Sequence, residues 1–145
     1  MINLKDLLSQ GKLRAHKTSK KEVENLLAIS RRDIKDAKVK DLSSDRKFAY
    51  AYNAVLQLAT ILLYCNGYKP EGPGHHFTVF QTMKIIMGNQ YYTLADYFDS
   101  CRSKRNITDY DFAGTISDSE VSELIKEAEN FLEIVLGRLK KNYKI

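Results

Sequence analysis

The sequence predicts an all-α fold, an antiparallel up-and-down bundle of about five to six helices in a single domain spanning residues 1–145. Three observations carry that expectation. Apolar residues recur at intervals of three and four over long stretches, and Ser-x-x-Glu capping boxes open two of those stretches. No two-residue hairpin signal stands between alternating segments, and there is no internal repeat or low-complexity tract.

Ser19 followed by Glu22 gives the first capping box, and Val23, Leu26, Leu27, Ile34 and Ala37 then mark a helix from Ser19 to Lys38. A short linker at Asp41–Ser44 leads to a nearly continuous apolar run, Phe48–Cys65. Its length alone suits a membrane span. Asn53, Gln57, Thr60 and Tyr64, however, follow at helical intervals and form one polar stripe, which marks a central core helix instead. Gly67 suits a left-handed helix end, and the YKPEGPG segment after it holds both prolines, so it reads as a loop.

Beyond that loop, Phe77, Phe80, Met83, Ile86 and Met87 predict a short helix ending near Gly88. Thr93 with Asp96 opens another short helix through Leu94, Tyr97, Phe98 and Cys101. Ser117 and Glu120 form the second capping box, and the last helix carries Val121, Leu124, Ile125, Ala128, Phe131, Leu132 and Val135 on one face, with Lys140 and Lys141 at its C-terminal end.

Charge and cysteine content narrow the function classes. Hydrophobic residues at 43% and charged residues at 28% are the balance of a globular chain able to fold without staples. Cys65 and Cys101 both fall on apolar stripes and read as buried thiols, which fits a reducing cytoplasm. Asn3, Lys5 and Asp6 interrupt the first residues, against a secretory leader. Residues 1–47 hold 13 basic against 7 acidic side chains, so the basic surface lies in the first third; it suits RNA phosphates or an ordinary solvated face. Neither a Walker-type loop nor a zinc-like ligand spacing occurs, so no cofactor, metal or membrane association is expected.

The segment CRSKRNITDYDFAGTISDSE, between the fifth and last helices, concentrates Arg102, Lys104, Arg105, Asn106, Asp109, Tyr110 and Asp111. Together with Tyr52 and Asn53 on the central helix, Gly74, His75 and His76 in the loop, and the capped last helix, it resembles the HEPN family over roughly residues 19–140. The family's ribonucleases place an Arg, usually followed by a polar residue such as Asn, before a His with four to six residues intervening. Arg105 and Asn106 match the start; Tyr110 stands where the His is expected. The resemblance implies an HEPN-like bundle that forms a homodimer and binds RNA or a nucleotide at an Arg105/Tyr110 cleft, with ribonuclease activity weak, altered or lost. It also implies two alternatives: a metal-independent, toxin-like endoribonuclease, or a subunit partnering a nucleotidyltransferase or acting in a toxin–antitoxin pair.

Within that expectation Arg105 and Tyr110 are the candidate catalytic pair, and Asn106, Arg102, Lys104, Asn53, His75, His76 and Asp109 are candidate substrate-binding residues. A permanent cation stabilises charge on phosphate oxygens, whereas a phenol with a pKa near 10 is a poor base at neutral pH. On a continuous helix, positions five apart lie about 140° from each other, so Arg105 and Tyr110 converge only if the helix stops near Asn106 or if two chains share the site. Plainer roles compete: Arg105 paired with Asp109 or Asp111 as a junction anchor, Tyr110 and Phe112 as packing aromatics, and the stripe of Tyr50, Asn53, Gln57 and Thr60 as internal hydrogen bonding.

Overall fold

The computed structural model describes residues 2–110 and 114–143, and for residues 107–110 the backbone alone. Six helices account for most of the chain: α1 (Leu4–Ser9), α2 (Lys20–Ala37), α3 (Ser44–Cys65), α4 (His75–Met87), α5 (Tyr92–Tyr110) and α6 (Asp118–Arg138). The all-α bundle expected from periodicity is the observed architecture. Two three-residue strands, β1 (Leu13–Ala15) and β2 (Tyr68–Pro70), form a small antiparallel ribbon, with Leu13 opposite Pro70, Arg14 opposite Lys69, and Ala15 opposite Tyr68.

α3 is the axis of the fold, packed against α2, α4, α5 and α6. Its apolar residues cover nearly the whole circumference because neighbours lie on nearly every side, and Phe48, Tyr52, Val55, Leu58, Ile61, Leu62 and Leu63 are all buried. By length and composition α3 could cross a bilayer, yet 67% of its apolar window is covered by the other helices. A stack of aromatic rings then ties the remaining helices together. Phe80 of α4 lies 5.9 Å from Phe98 of α5, which lies 5.2 Å from Phe131 of α6, all three buried. Such pairs add about 0.5–1.5 kcal/mol each beyond the area they bury.

Helix ends follow the expected chemistry at Ser117, whereas at Ser19 only half of the expected box forms, because the Glu22 carboxylate turns to His16 and Thr18. Ser19 and Ser117 each accept the backbone N–H three residues on, and Glu120 completes the second box by accepting the Ser117 N–H at 3.1 Å. Ser43 caps α3 in the same way. Around the start of α3, Ser44 donates to Asp118 at 2.6 Å and Asp45 accepts the Gly114 N–H at 2.8 Å. These bonds anchor the approach to α6.

Three expectations need correction. Residues 4–9 form a helix the periodicity did not mark, capped reciprocally by Asn3 and Asp6 at 2.9 Å. The segment after Gly67 is not all loop: Tyr68–Pro70 pairs with a strand more than fifty residues earlier, a long-range match that no hairpin signal announces. The fifth helix is not short, because it runs 19 residues from Tyr92. It therefore does not stop near Asn106, and of the two routes that would bring Arg105 and Tyr110 together, the one within a single chain is closed. The side chains of Asp109 and Tyr110, and Asp111 and Phe112 altogether, lie outside the described residues.

Candidate functional site

A groove of about 400 Å³ opens where α3, α4 and α5 meet beside β2. The polar stripe of α3 forms its floor, and Asn53, Gln57, Thr60 and Tyr64 line it, while Thr60 is buried with its hydroxyl donating to Leu56 O at 2.7 Å. His75 and His76 enter from the first turn of α4 and Arg105 from α5. A second hollow of about 180 Å³ shares His75 and His76 and is bounded by Arg102 and Asn106. Six of the residues singled out from sequence thus converge: Asn53, His75, His76, Arg102, Arg105 and Asn106.

Tyr52 is the hub of this arrangement. It is 0% exposed, and its hydroxyl lies 3.1 Å from His76 Nδ1. The Arg105 guanidinium carbon sits 5.5 Å from the Tyr52 ring centroid, a cation–π distance that holds a permanent charge at the groove. Arg102 is fixed by Asp99, whose Oδ1 accepts from Nε at 2.7 Å, and it lies 5.9 Å from the Phe77 ring centroid. The rings of His75 and His76 meet edge to face at 4.8 Å.

These neighbours set the protonation states. Burial, followed by the charges of His75, Arg105 and Arg102, lowers the His76 imidazole to about 4. It is therefore neutral at physiological pH. Burial holds the Tyr52 hydroxyl far above its ordinary value although Arg105 and Arg102 pull the other way, so Tyr52 keeps its proton. Two neutral groups share the 3.1 Å contact. In the tautomer where the Tyr52 hydroxyl donates to Nδ1, His76 keeps an N–H at Nε2; in the other, Nε2 is left as an acceptor.

Asn53 is oriented from behind. Its Nδ2 donates to Asp33 Oδ2 at 2.5 Å, while Gln57 Nε2 approaches Asn53 Oδ1 at 3.5 Å. Asp33 is only 2% exposed and is also met by Arg32 at 3.1 Å. Sequence reasoning passed over Asp33, because its role depends on how α2 packs on α3.

Lys104 does not join the cluster. It pairs with Glu120 at 2.6 Å, and this bond, with the Ser117 cap, pulls the Glu120 carboxyl down to about 2. Lys104 thus clamps α5 to the start of α6, a correction to its expected binding role. Among the described residues no group of three or more His, Cys, Asp and Glu side chains is placed to hold a metal ion. The site instead combines two guanidinium groups, a neutral imidazole, a phenol and amides, a set that suits an anion with hydrogen-bonding substituents. Comparison with family models, with curated proteins and with solved structures finds no match to this chain.

Proposed function

We propose that the protein is an HEPN-type domain that binds RNA or a nucleotide in the groove between α3, α4 and α5, with the phosphate on Arg105 and Arg102. One observation carries this: Arg105 and Arg102 lie beside His75 and His76 in adjoining hollows, with Asn53 and Asn106 at hand for a sugar or base. Guanidinium groups match phosphate oxygens in a planar fork, and the amide groups read hydrogen-bonding partners. The cleft proposed here differs from an Arg105/Tyr110 pair in that every side chain it uses comes from one chain. Pairing of two chains is a further expectation of the family resemblance.

A second reading is favoured by the Tyr52–His76 contact beside Arg105. In it the protein is a metal-independent endoribonuclease in which His76 stands in for the His that the motif lacks. His76 is unprotonated at neutral pH and can accept the ribose 2′-hydroxyl proton, while Arg105 stabilises the charge growing on the phosphate. At a pKa of about 4 the imidazole is a weak base. A bound phosphate offsets the neighbouring cations and raises it toward the useful range.

The test is incubation with mixed RNA in EDTA at low salt, comparing the wild type with Arg105→Ala and His76→Gln. Loss of a charge-assisted phosphate contact is expected to weaken retention by Arg105→Ala roughly 10- to 100-fold, the equivalent of about 1.5–3 kcal/mol. Equal retention by a folded Arg105→Ala protein overturns the proposal. Cleavage that disappears in His76→Gln supports the second reading, and binding without cleavage leaves the first.

A further inference from the structure

α4 and α5 run antiparallel, because Lys84 pairs with Asp96 towards one end of their contact and Phe77 meets Arg102 towards the other. Along this seam lies a cavity of about 240 Å³ that the groove described above does not include. Phe80 and Ala95, both buried, line it, and the rings of Phe77 and Tyr92 belong to its wall. Gln81 lines it too, and Gln81 Oε1 is buried with no hydrogen-bond partner among the described residues. A buried acceptor left unmade costs the desolvation of that group, so Oε1 is a place where a donor would be gained.

Phe77 is 46% exposed, whereas among the described residues Leu8 and Val39 are the other large apolar side chains left in the open. Of the three only Phe77 is aromatic, and an uncovered ring offers a face for stacking. Phe77 also joins the cavity to the phosphate side of the molecule. It lines both the cavity and the smaller hollow of His75, Arg102 and Asn106, and the Arg102 guanidinium carbon lies 5.9 Å from its ring centroid. Asp99 makes the same link from α5, since it lines the cavity while its Oδ1 accepts from Arg102 Nε at 2.7 Å. A fixed cation thus stands one aromatic ring away from a cavity with an unmet acceptor.

We infer that this α4–α5 cavity receives the base of the nucleotide whose phosphate lies on Arg102 and Arg105, and that Gln81 selects bases carrying an exocyclic amine. This rests on the phosphate-binding site proposed above. The base stacks on Phe77, and its amine donates to Gln81 Oε1, as the amino groups of adenine and cytosine can. Hypoxanthine and uracil carry a keto oxygen at the corresponding place, which would set acceptor against acceptor. Asn106, on the Arg102 side of Phe77, is left to the sugar.

Isothermal titration calorimetry at low salt tests this with AMP, CMP, IMP, UMP and ribose 5-phosphate on the wild type, Gln81→Leu, Phe77→Ala and Arg105→Ala. The wild type is expected to bind AMP and CMP at least about 5-fold more tightly than IMP and UMP, the effect of one unmade hydrogen bond in a buried site. Gln81→Leu is expected to erase that difference and to hold ribose 5-phosphate as the wild type does. Phe77→Ala changes an exposed ring and spares the core, and it should weaken the four nucleotides at least about 5-fold more than ribose 5-phosphate. Arg105→Ala should weaken all five ligands roughly 10-fold or more. Arg105-dependent binding of all four nucleotides with equal affinity overturns the base assignment and leaves the phosphate site standing. So does a preference for AMP and CMP that survives Gln81→Leu, or a loss in Phe77→Ala that is as large for ribose 5-phosphate as for the nucleotides. Absence of Arg105-dependent binding by every ligand overturns both.

Discussion

His76 gives the sharpest quantitative prediction, because its environment lowers the imidazole from the usual 6.5 to about 4 in the folded chain. Unfolding frees it to return to 6.5. Between those values the unfolded chain binds more protons than the folded one, so stability must rise with pH through the window and level off above it. Falling pH removes stability from 6.5 down to about 4, below which both forms are protonated. A gap of two and a half units would be worth about 3.4 kcal/mol if wholly expressed, at 1.36 kcal/mol per unit. The ring is only half-buried and solvent screens part of its interaction, so about 1–2 kcal/mol is the expected share.

Urea denaturation of wild type and His76→Gln at pH 7.5, 6, 5 and 4.5 isolates that share, since the carboxylates common to both proteins cancel in the difference. The wild type is expected to lose about 1–2 kcal/mol more than the variant between the extremes. Parallel stability curves would refute the depressed imidazole. A second readout separates its causes. Burial ranks first, ahead of His75, Arg105 and Arg102, so NMR titration of Arg105→Ala should raise the His76 pKa while leaving it below 6.5. Full recovery to 6.5 would show that charge, not burial, had set it.

Two further substitutions test the scaffold. Asn53→Ala removes the donor that Asp33 receives at 2.5 Å and leaves a buried carboxylate with Arg32 alone; a loss of about 1.5–3 kcal/mol by urea denaturation is expected, and no loss would show that water satisfies Asp33. Phe98→Ala should cost about 3–5 kcal/mol by the same measurement, because Phe98 is 0% exposed and stands between Phe80 and Phe131; a cost below 1 kcal/mol would mean that the three helices close over the cavity.

The helices were legible wherever one physical signal repeated along the chain. Ser19 and Ser117 mark their helices because a hydroxyl acceptor three residues before a carboxylate is a local device that needs no tertiary partner. The β1–β2 ribbon was not legible, since its strands have three residues each and meet only when α2 and α3 have packed. α5 was cut short for a related reason. RNITDYD is rich in residues that favour turns, yet the helix continues through it to Tyr110. Lys104 shows the limit for single residues: among neighbouring cations its charge looked like part of a binding surface, and only the approach of α6 assigns it to Glu120.

Position 110 carries tyrosine where the motif has histidine. On a helix, side chains meet at intervals of three and four, so a spacing of five along α5 does not by itself bring two side chains together. Packing brings groups together from other helices, because Tyr52 of α3 contacts both Arg105 and His76. Under the proposed function, then, the substitution at position 110 removes a histidine from the motif without removing one from the groove. Proton transfer would depend on the Tyr52–His76 pair, and Tyr52→Phe, which keeps the ring under Arg105 but deletes the hydroxyl, separates the two duties. Phosphate retention should survive that change, since the cation–π contact needs only the ring. Any RNA cleavage should fall, because the hydroxyl fixes the imidazole tautomer. Cleavage untouched by Tyr52→Phe would place the proton transfer on another group and leave Tyr52 as a support for Arg105 alone.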